Sequence, residues 1–248
     1  MSEHFVINWG ALCAYLVATF LVCGIPFGKI IARAKGVDIQ AVGSGNIGTT
    51  NVAREIGKGA AAATLAFDAG KGALATGVAA WLFQHTGFVC ATYQTVSFAP
   101  GGEAGWCVGL VMLAAVCGHI FSPFLGFHGG KGIAVGVGSL LGFVWPLGLL
   151  ELGIFFVLAY ATKRVSVGSV TVAAIVGILV GIFYGWTLNA LVVEAAGLIV
   201  VWAHRSNIKK LACGQESAFS FHKKGEVPTP DDAEVSARAA KKQEQRRG

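Results

Sequence analysis

Apolar residues in this chain arrive in long blocks, about Trp9 to Gly28, Gly59 to Phe83, Trp106 to Phe124, Gly132 to Trp145, Leu147 to Tyr160, Val167 to Phe183 and Thr187 to Val201. A helix needs roughly 20 such residues to cross the hydrocarbon core of a bilayer. A soluble helix or strand would instead show apolar stripes at its own period. Only 13% of the 248 residues are charged, against roughly 25% in ordinary soluble domains, which is too few to cover a water-soluble globule. The expected fold is an all-α polytopic membrane protein with seven transmembrane helices, blocks four and five meeting at Pro146.

Charge placement then orients the chain. Outside the last segment there are 12 basic residues: Lys29, Arg33, Lys35, Arg54, Lys58, Lys71, Lys131, Lys163, Arg164, Arg205, Lys209 and Lys210. With seven spans and the N-terminus outside, all but Lys71 fall on the cytoplasmic side, as the positive-inside rule requires. The net charge of +6 therefore reports orientation, and no nucleic acid is expected as a partner. Met1-Ser2-Glu3-His4 lack the basic start of a cleavable signal. The six cysteines show no C-x-x-C pair and no metal-ligand spacing. From Ser217 onward Pro228, Pro230, Asp231, Asp232 and the run Lys241 to Arg247 read as a solvated, disordered cytoplasmic tail. The division expected is a membrane domain over 1–216 and a tail over 217–248.

Three polar, glycine-rich stretches fall on the same predicted side. The first is Gly43-Ser44-Gly45-Asn46-Ile47-Gly48-Thr49-Thr50-Asn51-Val52-Ala53-Arg54. Its glycines permit positive φ, so successive N–H groups can converge on an anion, and Arg54 can grip a phosphate or carboxylate bidentately. An ordinary flexible loop is the alternative. The second, Gly118-His119 to Phe127-His128-Gly129-Gly130-Lys131-Gly132, leads into a helix whose N-terminus attracts anions. It is not a Walker A loop, because Gly132 stands where that pattern needs Ser or Thr; a tight interfacial turn with a snorkelling lysine is the other reading. The third runs from His204 through Asn207 to Gly214 and Glu216. His204 and Asn207 share a face if the helix continues through them.

Within the second block Asp68 and Lys71 are three apart. Charges there cost about 2.5–3.5 kcal/mol each on insertion scales, so they are expected to pair and face the protein interior. Glu194 is another interior candidate, with no partner evident, and Glu151 is expected near the outer interface. Small residues four apart, Gly132/Gly136, Gly138/Gly142 and Gly177/Gly181/Gly185, predict close helix approach.

Gly43 to Arg54, Gly118 to Gly132 and His204 to Glu216, in this order and with Asp68 and Lys71-Gly72 between, resemble the three signature regions of the PlsY family. These are bacterial acyl-phosphate–glycerol-3-phosphate acyltransferases of the inner membrane. The resemblance implies transfer of a fatty acyl group from acyl phosphate to the 1-hydroxyl of glycerol 3-phosphate, giving lysophosphatidate and phosphate in phospholipid biosynthesis, without metal, coenzyme A or other cofactor. By motif, Ser44, Arg54, Lys131, His204 and Asn207 are the expected catalytic set. Gly43, Gly45, Asn46, Thr50, Asn51, Gly129, Gly130 and Gly132 are expected to bind substrate phosphates, with Asp68, Lys71, His119 and Glu216 in support. His128 stands where the family often has Lys or Arg, and Ser122-Pro123 and Ser206 are not typical of it. Acyl phosphate is already activated, so direct attack is expected, the proton going to His204 or a substrate phosphate oxygen. An acyl-enzyme on Ser44 or Cys213 would contradict this. No histidine has Asp five residues later, so the H-x-x-x-x-D acyltransferase chemistry is absent. The rival reading is a small transporter for a phosphorylated solute.

Overall fold

The computed structural model of the protein describes residues 6–216; the N-terminal five residues and the expected tail at 217–248 lie outside the described residues. The helices are α1 (Trp9–Gly24), α2 (Phe27–Ala34), α3 (Thr49–Glu55), α4 (Lys58–His85), α5 (Gly105–Ile120), α6 (Ile133–Phe143), α7 (Trp145–Thr162), α8 (Val165–Tyr184), α9 (Leu188–Ala203) and α10 (Arg205–Ala212), with a 3-10 turn at Pro123–Leu125. Among the described residues the only strand-like pairing is an isolated bridge between Ile7 and Cys90. Trp9–Ala34, Gly105–Leu125, α7 and α8 are long and apolar enough to cross a membrane, and α9 with α10 forms a further candidate bent by 59°. The 28 residues of α4 extend about 42 Å, but that helix carries Asp68 and Lys71. The 11 residues of α6 reach only about 17 Å.

Two boundaries differ from the sequence reading, and proline explains both. The first block breaks at Ile25-Pro26 rather than running to Gly28, because proline removes an amide donor and crowds the preceding turn. Between α6 and α7 the break falls at Val144. Pro146 sits instead in the first turn of α7, where a missing N–H costs nothing.

α5 is the central helix, touching α1, α4, α6 and α9. The tightest approach is α4 on α6. A Cβ added at Gly138 would stand 2.0 Å from the Ala69 carbonyl oxygen, and one at Gly142 would stand 2.2 Å from that of Ala73. Gly136 is different, since a Cβ there would meet only Val116 at 3.7 Å. Of the later trio, Gly177 packs on Ala190 and Glu194, Gly181 takes the ring of Trp186, and Gly185 ends α8 at φ +94°. Glu194 does have a partner: its Oε2 accepts from the Gly177 amide at 2.8 Å. Glu151 is enclosed by protein. It is 3% exposed and faces inward toward Ala173, Val176 and Gly197, because α7 turns that side against α8.

The end of the bundle holding the α1 N-terminus is capped by the segment between α4 and α5. Gln84 braces it through Nε2 to the Tyr93 and Val96 carbonyls, and its Oε1 accepts from Phe98 N at 2.9 Å. Asn189 at the start of α9 donates to Pro100 O at 2.9 Å, and Asn8 N donates to Val89 O at 2.7 Å. Phe83, Val89, Cys90, Phe98 and Cys107 form its buried core.

A charged knot fixes the other half. The Lys71 ammonium meets Asp68 Oδ1 at 2.8 Å, the Ile25 carbonyl at 2.8 Å and His119 Nδ1 at 3.1 Å. Ser122 Oγ donates to Gly24 O at 2.6 Å. The two carbonyls at the α1–α2 break are thus both satisfied by protein donors, as an apolar environment demands.

Two stability outcomes follow from this packing. Gly138→Ala is expected to destabilise the protein by about 1–3 kcal/mol through backbone collision, whereas Gly136→Ala is neutral or raises the midpoint through helix propensity; thermal unfolding in detergent micelles reads both. Lys71→Met leaves Asp68 buried and uncompensated and is expected to cost about 3–5 kcal/mol. The double variant Asp68→Leu/Lys71→Met is expected to be less damaging than Lys71→Met alone, and a double-mutant cycle in the same assay checks that.

Candidate active site

The three glycine-rich stretches lie at the end of the bundle opposite the capped one, and each is held by bonds of its own. In the first, Asn51 is buried, donating from Nδ2 to Ile39 O and Val42 O at 3.2 Å each and accepting from Ser44 N at 3.0 Å. Gly43 sits at φ +59°, and a Cβ on it would stand 2.3 Å from Asn51 Oδ1, so glycine is required for this turn. Asn46 Oδ1 accepts from Gly48 N at 2.8 Å, and Gly45 N donates to Val42 O. Most of the polar groups expected to meet substrate here are therefore spent in shaping the loop. Ser44 is left exposed, with Thr50 and Arg54 half-buried on α3. That α3 is helical at all was not anticipated; it carries Arg54 in its last turn.

In the second stretch, the Gly129 amide donates to Ile120 O at 2.9 Å and the Gly130 amide to His119 O at 3.1 Å. These two amides bind the end of α5, not an anion, which corrects the expectation of a backbone cradle across all the glycines. Gly132 caps α6 at φ +83°, so the anion-attracting groups of this stretch are the first turn of α6 and Lys131. His119, 4% exposed, packs its ring against Gly130, where a Cβ would lie 2.1 Å from Nε2. His128 is exposed, its Nδ1 bonded to Gly126 O at 2.6 Å.

The third stretch does not continue as one helix. The chain bends by 59° between α9 and α10, and His204 occupies the bend, 3% exposed. Its Nδ1 lies 2.8 Å from Val200 O. A carbonyl can only accept, so Nδ1 carries the proton and Nε2 presents a lone pair when the ring is neutral. One turn on, Asn207 Oδ1 accepts from the Lys131 ammonium. Asn207 Nδ2 in turn donates to Glu216 Oε1 at 2.8 Å, where Ser166 Oγ donates as well.

These bonds join the loop before α6 to α10, to the start of α8 and to the end of the described chain. Burial pushes the Lys131 ammonium below the ordinary lysine range; Glu216 opposes the shift, while Lys210 and Arg54 add to it. Lys131 and Glu216 also act electrostatically on His204. Lys131, Asn207, Glu216 and Ser166 are thus joined by hydrogen bonds, with Arg54 and His204 within electrostatic reach of Lys131. Ser44, Gly43, Gly45, Asn46 and Thr50 belong to the neighbouring loop, whose hydrogen bonds close on the loop itself, and Asp68, Lys71 and His119 lie beneath Gly130. Ser166 is a member that sequence reasoning missed; its only signal was a hydroxyl two residues after Lys163-Arg164, at the basic end of a span. The groups on hand include two cations, a carboxylate, an imidazole lone pair and an exposed hydroxyl. They can bind anionic oxygens and accept a proton; among the described residues no His, Cys, Asp and Glu group is arranged to hold a metal.

Residues 13–214 match the family described as glycerol-3-phosphate acyltransferase. A glycerol-3-phosphate acyltransferase of Rhodopseudomonas palustris (strain BisB5) is 40% identical over 215 residues, covering 86% of this chain and 99% of that protein. One from Trichormus variabilis is 38% identical over 213 residues, covering 84% and 92%. Among solved structures, the glycerol 3-phosphate form of PlsY (YgiH), an integral membrane glycerol 3-phosphate acyltransferase, superposes with a TM-score of 0.73 at 28% identity, covering 85% of this chain and 96% of that one. Its lysophosphatidic acid form gives 0.72 at 27% identity. The chain belongs to the glycerol-3-phosphate acyltransferase family.

Proposed function

We propose that this protein transfers a fatty acyl group from acyl phosphate to the 1-hydroxyl of glycerol 3-phosphate, releasing phosphate, at the cytoplasmic face of a bacterial inner membrane. The observation that carries the reading is the bonded group of Lys131, Asn207 and Glu216, with Arg54 and His204 within electrostatic reach of Lys131. Both substrates are anions, and like unit charges 5 Å apart repel by about 3 kcal/mol at an effective dielectric of 20. Arg54 and Lys131 offset that repulsion and align the hydroxyl with the acyl carbon. The hydroxyl oxygen attacks the acyl carbonyl carbon while its proton passes to His204 Nε2. The bond from that carbon to the phosphate oxygen then breaks, and phosphate leaves, taking the proton back. Asn207 and Glu216 hold the Lys131 ammonium, Ser44 and Thr50 face the substrate from the first loop, and Asp68, Lys71 and His119 support the glycine turn. No protein nucleophile takes part, and no metal or coenzyme is needed.

The membrane domain proposed is 1–216, with seven spans formed by α1 with α2, α4, α5, α6, α7, α8 and α9, the N-terminus outside and the C-terminus cytoplasmic. Tryptophan supports this threading. Trp9, Trp81, Trp106, Trp145 and Trp186 lie at the α1 start, the α4 end, the α5 start, the α6–α7 junction and the α8–α9 junction. All of these are outer ends in a seven-span path, where an aromatic belt belongs. A transporter is disfavoured, because solute sites in transporters lie near the midplane with access from both sides. Here the polar cluster is at one end, and the segment capping the other is packed shut.

With purified protein, palmitoyl phosphate and glycerol 3-phosphate, phosphate release is expected. Lys131→Ala should lower it by roughly 100-fold or more while the protein still elutes as the wild type does on size exclusion. A fully active variant removes that loop from the site. The pH profile supplies a separate check. Lys131 acts as the ammonium, so activity should fall as pH rises through its lowered pKa, below the ordinary lysine value of about 10.4. Residual activity of Lys131→Arg should lack that basic limb, since a guanidinium stays charged.

A further inference from the structure

His119 is more than a wedge under the glycine turn. Lysine in its charged form has three protons and no acceptor, and the three contacts of Lys71 Nζ are Asp68 Oδ1, Ile25 O and His119 Nδ1 at 2.8, 2.8 and 3.1 Å. His119 Nδ1 must therefore accept, and a ring nitrogen that accepts carries no proton. An imidazolium would set two donors against each other across 3.1 Å. The ring is consequently neutral with its single proton on Nε2, the tautomer being fixed by donor count.

Nε2 makes no hydrogen bond to another described residue, and although His119 is only 4% exposed this nitrogen is not one of the fully buried unpartnered atoms, so part of its surface stays open. A donor with no protein partner and some open surface beside a binding loop is free to meet an acceptor supplied by what binds there. Its surroundings indicate the acceptor. Nε2 is 2.1 Å from where a Cβ of residue 130 would stand, so only glycine leaves the donor uncovered, and the next residue is Lys131. We infer that the His119 Nε2–H is a neutral hydrogen-bond donor to an anionic phosphoryl oxygen held at the Gly129–Gly132 turn, with its tautomer imposed from below by Lys71. This rests on the acyl-transfer reading only for the identity of the anion: the phosphate of the acyl donor and that of the acceptor share the same chemistry.

The test uses full-length wild-type protein with 15N-labelled histidine in micelles, titrated with inorganic phosphate. The expected spectrum has one buried histidine, lost in His119→Gln, that is neutral with Nε2 protonated and whose Nε2–H resonance moves as phosphate saturates. A neutral ring protonated on Nδ1, an imidazolium, or a resonance indifferent to phosphate (a buried water or nothing at that nitrogen) would each overturn the proposal. Kinetics add a second reading. His119→Leu is expected to raise KM for one of the two phosphorylated substrates by about ten-fold, with kcat much less affected. His119→Gln, which puts an amide donor in that position, should recover most of the loss. The substrate whose KM moves identifies which phosphate is bound, and equal recovery failure in both variants counts against the donor role. Should the wild type show no acyl transfer while His119 still responds to phosphate, the reaction reading fails and this site stands. Turnover with a silent His119 sinks this site alone.

Discussion

The ammonium of Lys71 donates to the Ile25 carbonyl, lies against His119 Nδ1 and forms an ion pair with Asp68. A membrane interior makes that arrangement obligatory. Inside hydrocarbon there is no water to satisfy a freed carbonyl or a lone charge, so the break at Ile25-Pro26 can exist only if something in the protein meets the carbonyls it releases. Lys71 meets one and Ser122 the other. Asp68 makes the cation tolerable, and His119 carries the constraint onward to the turn that bears Lys131. One buried side chain thus couples the bend between α1 and α2, the middle of α4, the end of α5 and the glycine turn.

The site above it is built on the opposite logic, a surplus of one sign. The charges that act on Lys131 are two further cations, Arg54 and Lys210, and a single carboxylate, Glu216, and Glu216 is itself occupied by Asn207 and Ser166. The pocket is consequently short of negative charge, and anions complete it. Burial sharpens this, because an ammonium removed from water gains more from each anionic oxygen that replaces its hydration. Asn207 serves both signs, taking a Lys131 proton on its oxygen and giving one to Glu216 from its nitrogen. It therefore fixes the distance between cation and carboxylate without letting them collapse into a direct pair.

What the sequence disclosed, and what it withheld, divides along physical lines. Block length and residue type gave the helices; they could not say which glycines touch a neighbour, since Gly136 and Gly138 look alike in sequence while only Gly138 meets a backbone oxygen. The three polar stretches were legible as a set, and Lys131 and Asn207 do meet, with His204 and Arg54 within electrostatic reach of Lys131. How the loops spend their hydrogen bonds was not legible. Asn51, Asn46, Gly129 and Gly130 all resemble ligand groups in sequence, yet each is committed inside its own turn. His204 and Asn207 were expected to share a face of one straight helix. Instead the 59° bend at His204 turns α10 across the site, which sends Asn207 to Lys131 by a different route. The burial of Glu151 was not legible either, because depth along a helix says nothing of which side faces the protein. Ser166 was invisible because a single serine carries no pattern; only folding brings α8 beside Glu216.

The two ends of the bundle are finished in contrasting ways, and the contrast bears on what the molecule can do. At one end the linker between α4 and α5 is nailed down by Gln84, Asn189 and Asn8, and its aromatic residues fill the space between helices. That end has no polar cleft and no cation cluster among the described residues. At the other end the backbone is left irregular, with glycines at positive φ, short helices α2, α3 and α10, and side chains bridging from loop to loop. Irregular backbone at the rim of a membrane is tolerable only where water or protein meets its polar groups. A catalyst for two water-soluble phosphate groups and one buried acyl chain needs such a rim on a single side and a sealed floor beneath it. A solute carrier would need the floor to open, and the bonds of Gln84 and Asn189 hold it closed.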